Sequence, residues 1–299
     1  MSSAIHDLGY KRYVGTRRAS STRWRVIARH QLASAWKGWW RWKLAALLAV
    51  IPAIVAAVWI FLLADKLSLL TGGRVPVTLA DGALPMTFGG YCSIAFVASL
   101  TVGASIIAGD VQSGAFVFYF ARSTRPIDYL AGKLVGYAIV IASIIALGPV
   151  LVAIMRVALS TTRDTHELVA HLALIPEALG VGLLATLAYT AIPLGFSALV
   201  KKRSQALGLW AAYYILVGSV LAAVGLVGGL GWLASLDVAT ALKAIADAVF
   251  DLPALMGPKH VGIPISACVI SIVGQSALAL GIVYWKLSTS QKAGVGGAT

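Results

Sequence analysis

Six stretches of about twenty apolar residues, separated by polar breaks, run along the chain at Leu44–Ala64, Phe88–Ala108, Leu134–Met155, Ala178–Val200, Ala206–Trp232 and Ile263–Trp285. Each is long enough as a helix to cross roughly 30 Å of hydrocarbon. The fourth and fifth are parted only by Lys201-Lys202-Arg203-Ser204-Gln205, so they form a helical hairpin. Two further segments carry helical periodicity without spanning length. Between Thr22 and Trp42, residues Trp24, Ala28, Leu32, Ala35, Trp36 and Trp39 recur on one face, with Arg23, His30, Ser34, Lys37 and Arg41 on the other. Arg25 and Arg29 intrude on the apolar arc. Between Leu233 and Gly262, Val238, Leu242, Ile245 and Val249 share a face, with Asp237, Lys243 and Asp247 largely elsewhere and Pro253 and Pro258 closing an amphipathic helix that lies at the outer membrane surface or dips back into it. The predicted fold is all-α and polytopic. An N-terminal part (1–43) holds an interfacial helix, a six-helix membrane domain covers 44–285 with a cytoplasmic loop at 109–133 and an outer helical element at 233–262, and a tail covers 286–299.

Composition agrees with that class: 59% of the 299 residues are hydrophobic, only 12% are charged, and mean hydropathy is +0.87. The net charge of +13 would suit nucleic acid, but its distribution points to a membrane instead. Ten lysines and arginines precede the first apolar run, and the breaks after the second and fourth runs add Arg122, Arg125, Lys133, Lys201, Lys202 and Arg203. The opposite side holds Lys66, Arg74, Arg156, Arg163, Lys243 and Lys259 against eight acids. The positive-inside rule then puts both termini in the cytoplasm and predicts no nucleic-acid partner. Tryptophans among lysines and arginines, including Trp24, Trp36, Trp39 and Trp40, suit the membrane–water interface. Cys92 and Cys268 fall inside spans and read as small packing residues. Some 43 mostly polar residues precede the first run, too many for a cleavable signal, so that span doubles as the targeting signal.

Candidate chemistry is sparse. Thr165-His166-Glu167-Leu168-Val169-Ala170-His171 approaches the zinc-protease pattern, but its histidines are five apart, about 140° around a helix, and do not share a face. The string reads as a solvated outer loop. No GxxxxGK[ST] or GxSxG occurs, and the spans hold almost no ionisable residue; Asp110, Arg156 and Glu177 fall at their ends. If the chain transports, a partner is the expected energy source, with sodium bound by backbone carbonyls as the alternative, and no cofactor or metal is expected in it. Pro52, Pro149 and Pro193 predict kinks. The glycine pairs Gly132–Gly136 and Gly225–Gly229 permit close helix approach, at a spacing that an Ala- and Gly-rich chain also produces by chance.

The stretch Asp110–Lys133 is unlike a plain connection. An acid is followed by a turn at Gly114, by the run Phe116-Val117-Phe118-Tyr119-Phe120, by the break Arg122-Ser123-Thr124-Arg125-Pro126, and by Tyr129-Leu130-Ala131-Gly132-Lys133. With the six-span layout, this pattern resembles the membrane subunits of type-2 ABC exporters. It departs from them in having Asp110 where glutamate is commoner and in placing the proline after Arg125. The resemblance implies a bacterial inner-membrane permease, paired with a second copy. Its coupling helix around Gly114–Arg125 would seat in a separate ATPase subunit that carries the ATP and Mg. Asp110, Gly114, Phe116, Phe118, Phe120, Arg122, Arg125 and Lys133 would make that coupling, the phenylalanines as an apolar plug and the arginines as rim charges. Two plainer readings stand beside it: the phenylalanines anchor the loop in lipid, and Asp110 and Lys133 only terminate helices. An uncharged path suits an amphipathic or lipid-like cargo, with Tyr189, Tyr213, Tyr214 and Gln275 as its polar residues. A membrane-embedded metal-dependent hydrolase and a non-transporting scaffold for a soluble complex are the alternative function classes.

Overall fold

A computed structural model describes residues 22–37, 49–59, 83–116, 119, 124–158, 165–250 and 263–296, and these are mainly helical, with no strand among them. Helix α1 (Arg23–Lys37) precedes α2 (Ala49–Trp59), the described part of the first apolar run; the rest of Leu44–Ala64 lies outside the described residues. Then come α3 (Ala83–Gln112), α4 (Pro126–Ala158), α5 (Thr165–Leu199), α6 (Arg203–Val227), the short α7 (Gly231–Ala234), α8 (Val238–Phe250) and α9 (Ile265–Gly296). Five of these, α3, α4, α5, α6 and α9, are long and apolar enough to cross a membrane, which marks the chain as a membrane protein.

Helix α5 is central and touches α3, α4, α6, α8 and α9. Small residues make this possible: Ala178, Ala185, Ala188 and Ala191 are buried to the last atom. At Gly182 an added Cβ would lie 2.6 Å from the Ala146 Cα of α4, and at Gly195 it would lie 2.7 Å from the Ala279 Cβ of α9. With lipid as the alternative surroundings, such backbone-to-backbone contact supplies the dispersion that holds helices together.

At two interruptions of the long helices a backbone group freed at membrane depth finds another partner. In α3 a π-turn at Ser99–Gly103 and a turn at Ala104–Ser105 interrupt the ladder. The N–H groups of Ile107 and Ala108 then donate to the buried Ser197 Oγ of α5, at 3.1 and 2.9 Å. In α5, Pro193 has no N–H for the Tyr189 carbonyl four residues back, and Tyr137 Oη of α4 donates to it at 3.0 Å. Pro149 similarly breaks α4 at Ala146. Ser197→Ala is therefore expected to lower the thermal unfolding midpoint in detergent, at a cost of about 1–3 kcal/mol for stranded buried donors. Ser219→Ala, on an exposed face of α6, should leave it unchanged.

Several expectations need correction. The second and third spans are longer than the hydropathy runs, so Asp110 lies within α3 and Lys133 lies two turns into α4. The connection between them shrinks to the residues from Ser113 to Arg125. The stretch Thr165–His171 is no loop but the start of α5, because Leu168, Leu172 and Ile175 continue the apolar period upstream of Pro176. Helix α6 stops at Val227 rather than Trp232, since Gly229 takes φ +67° and turns the chain.

The element after α6, expected at the outer membrane surface or dipping back into it, packs against α3, α5 and α9. A Cβ at Gly218, near the middle of α6, would strike the Asp237 carboxylate, and Phe250 at the far end of α8 meets Phe88 edge-on at 6.3 Å. Asp237 caps α8 by accepting from Thr240 N at 3.0 Å and Thr240 Oγ1 at 2.6 Å. Val238, Leu242 and Ile245 are buried as the period predicts, but Val249 is exposed and Asp247 is buried. Within the spans, Lys133 is a buried ionisable group that the hydropathy pattern placed outside them; Arg156 is buried near the end of α4 as expected for a span end, and Asp237 and Asp247 are buried outside the spans.

Candidate functional site

The residues singled out around Asp110 meet where α1, α3 and α4 converge. Gln112 ends α3, and Gly114 at φ +68° reverses the chain with nothing near the place a Cβ would occupy. Helix α4 starts cleanly because Pro126 has a preset φ and lacks only an N–H that the first turn leaves unpaired, and Asp128 sits at the positive end of the helix dipole. The spacing of Tyr129 and Lys133 then puts both on one face. That face meets Asp110. Lys133 Nζ lies 2.8 Å from Asp110 Oδ2, Tyr129 Oη donates to the same oxygen at 2.5 Å, and Lys133 Nζ donates to Gln31 Oε1 of α1 at 3.1 Å.

This node is largely dry: the Lys133 side chain is 6% exposed and that of Asp110 20%. A buried ammonium needs such company, and the Tyr129 ring adds its face at 5.5 Å. Phe116 and Tyr119 then pack edge-on against Tyr129, with centroids 5.6 and 5.1 Å away. Burial, and then the Asp110 charge, push the Tyr119 phenol above its usual pKa, so it stays a neutral donor.

Of the expected coupling residues, the structure joins Asp110, Lys133 and Phe116. Asp110 and Lys133 do more than end helices, and Phe116 is half-buried against the bundle. Gly114 and Arg125 stay exposed on either side, Arg125 with its carbonyl accepting the first N–H groups of α4. Phe118, Phe120 and Arg122 lie outside the described residues. Sequence reasoning missed the role of Tyr129, which its four-residue offset from Lys133 would have signalled had α4 been started at Pro126. It also missed Gln31, for which no local signal exists.

The predicted apolar face of α1 is rotated. Ile27 and Ala28 are buried, Trp24 is half-buried, and Leu32 is exposed. This face lies on α4 at the glycine pair Gly132–Gly136, whose spacing permits close helix approach. A Cβ at Gly132 would be 2.6 Å from Ile27 Cβ and 2.8 Å from the Trp24 carbonyl oxygen; one at Gly136 would be 2.8 Å from the Ala28 carbonyl oxygen. Trp39, Trp40 and the side chain of Trp36 lie outside the described residues.

The four polar residues proposed for a path form two pairs. Tyr189 and Tyr214 share a hydrogen bond of 2.8 Å, and Tyr214 stacks on Phe96 at 4.0 Å. Tyr213 Oη donates to Gln275 Oε1 at 2.5 Å and also contacts the Leu236 carbonyl oxygen, which accepts from Gln275 Nε2 at 3.0 Å. Buried Trp210, donating to Ser99 Oγ at 2.8 Å, packs against both pairs. Their polar atoms are thus turned onto one another and join α3, α5, α6, α9 and the α7–α8 turn. Beside Tyr213 and Gln275 lies an apolar groove of about 290 Å³ walled by Phe196, Leu199, Leu278 and Ile282.

Among the described residues no three histidine, cysteine, aspartate or glutamate side chains gather as a metal site. The side chains of His166 and Glu167 lie outside them. The chain matches no protein-family model and no curated protein.

Proposed function

We propose that this chain is the permease subunit of an ABC-type exporter in the bacterial inner membrane, with both termini in the cytoplasm. It pairs with a second permease copy and draws its energy from ATP and Mg bound by a separate ATPase docked on the connection between α3 and α4. The observation that carries this reading is the fastening of that connection. Asp110 before it and Tyr129 and Lys133 after it form one dry ionic node, into which α1 reaches through Gln31 and against which Phe116 and Tyr119 pack. A push on the connection is then transmitted to three helices at once, whereas a floppy loop would absorb it. The groove beside Tyr213 and Gln275 supports an amphipathic or lipid-like cargo through its apolar walls, the polar atoms of those two side chains being bonded to each other and to the Leu236 carbonyl.

The test is a pull-down of the tagged full chain from its native membrane, with ATPase activity assayed on the eluate. A stoichiometric P-loop ATPase should co-purify. Phe118→Ala with Arg125→Asp should lose it, by tenfold or more if a central aromatic anchor and a rim charge are both removed. Normal assembly and ATP turnover by that double variant would sink the coupling assignment.

A further inference from the structure

Next to the ionic node is a cleft of about 270 Å³ between α1, α3, α4 and α6. Its floor is electrically settled, since the Lys133 and Asp110 charges face each other. Its mouth is not. Arg203, the first residue of α6, lays its guanidinium over Gly109 of α3, where an added Cβ would sit 2.7 Å from Nε and 3.0 Å from Nη2. Among the described residues that guanidinium has neither an acid nor a hydrogen-bond partner. Around it the cleft presents His30 and Ser34 of α1, Ser105 of α3 and the Tyr119 phenol. Lys201 and Lys202 are exposed beside Arg203, and Arg25 and Arg29 are exposed on α1.

We propose that this cleft binds a phosphate group of an anionic ligand, one whose charge no cation of the same molecule offsets. An unpaired planar guanidinium matches two phosphate oxygens, and the imidazole and hydroxyls around it suit the remaining ones. The surplus positive charge excludes a cation. Depth favours the headgroup of an anionic lipid as the source. Val102, Ser105 and Ile106 lie one to three turns inside the end of α3, so the cleft enters the bundle at the level where a headgroup meets its acyl chains. A free phosphorylated solute has the same chemistry, and the experiment below separates the two. The site does not depend on the exporter reading, because it requires neither an ATPase nor a transported cargo.

The experiment is thermal unfolding of the purified full chain in neutral detergent, titrated with dihexanoyl-phosphatidylglycerol, dihexanoyl-phosphatidylcholine or inorganic phosphate at matched ionic strength. Phosphatidylglycerol should raise the midpoint in a saturable way and phosphatidylcholine should not. Arg203→Gln should weaken the phosphatidylglycerol response about tenfold or more, and Arg203→Lys should restore part of it. His30→Gln with Ser34→Ala, on the exposed side of α1, should weaken it by a smaller factor, and provides the test if Arg203→Gln fails to fold. A response to inorganic phosphate equal to that of phosphatidylglycerol would make a soluble phosphate the ligand. Equal responses to both lipids, or an unchanged response in both Arg203→Gln and the α1 double variant, would overturn the proposal.

Discussion

Lys133→Met is expected to be among the most damaging single changes in the chain. It removes the cation that faces Asp110 at 2.8 Å and leaves a carboxylate, four-fifths buried, whose one remaining hydrogen-bond donor among the described residues is the Tyr129 phenol. Breaking one side of a buried ion pair typically costs about 3–5 kcal/mol, since the remaining charge keeps its desolvation penalty and loses its partner. Gln31 loses its donor as well, which weakens the hold of α1. The measurement is thermal unfolding in detergent for Lys133→Met, Asp110→Asn and the double variant. Both single variants should fall, and the double variant should recover a large part of the loss because no uncompensated charge remains. A double variant as unstable as the sum of the two singles would mean that the pair is not coupled. On the exporter reading, the double variant should also fold and bind its ATPase yet turn over substrate poorly, its three helices no longer tied at this point.

Gly136→Leu, alone or with Gly132→Ala, is expected to release α1 from α4. At both positions the backbone of α1 stands where a side chain would go: the Ala28 carbonyl oxygen and Cα are 2.8 and 3.2 Å from a Cβ at Gly136, and the Trp24 carbonyl oxygen is 2.8 Å from one at Gly132. A helix backbone cannot yield by changing rotamer, so the whole of α1 must move outward, with an overpacking cost of about 1–3 kcal/mol per site. The displacement also separates Gln31 from Lys133. Hydrogen exchange of the α1 amides reports this directly, with protection falling roughly tenfold or more while α5 and α9 stay unchanged. Gly208→Ala, with open space at its Cβ, is the control. Unchanged exchange in α1 would mean that its contact with α4 does not hold it.

How far the sequence could be read depended on the kind of signal. Long apolar runs located five membrane-length helices, because hydrocarbon demands unbroken apolar length whatever packs alongside. Their ends were misplaced where polar residues are buried in pairs. Lys133 and Asp110 look like interfacial punctuation in a one-dimensional pattern, and only their mutual contact lets them stay inside helices. Thr165–His171 was misread for a related reason, since Pro176 and Glu177 break the hydropathy without breaking the helix. Around the candidate site, Asp110, Gly114 and Lys133 stand out in the sequence by type and spacing, but the contact that joins Asp110 to Lys133 does not. Tyr129 needed the correct start of α4, and Gln31 needed knowledge that α1 lies on α4.

By itself the sequence determined that the chain is helical and membrane-embedded, where its long spans lie, that Gly114 turns the chain, and that a basic, tryptophan-rich segment precedes the first span. These follow from local chemistry: transfer free energy summed over about twenty residues, and the conformational freedom of a glycine at positive φ. Tertiary structure alone decided which of many glycines are contact points, which charges meet, and where broken helices find substitute partners. Gly132 and Gly136 seat a helix while Gly208 faces open space, yet all three look alike in sequence. Ser197 and Tyr137 repair the backbone of other segments, an assignment that spacing along their own helices cannot reveal. The physical reason is the same in each case. Such contacts join residues far apart in the chain, and their energy exists only once the helices that carry them have been brought together.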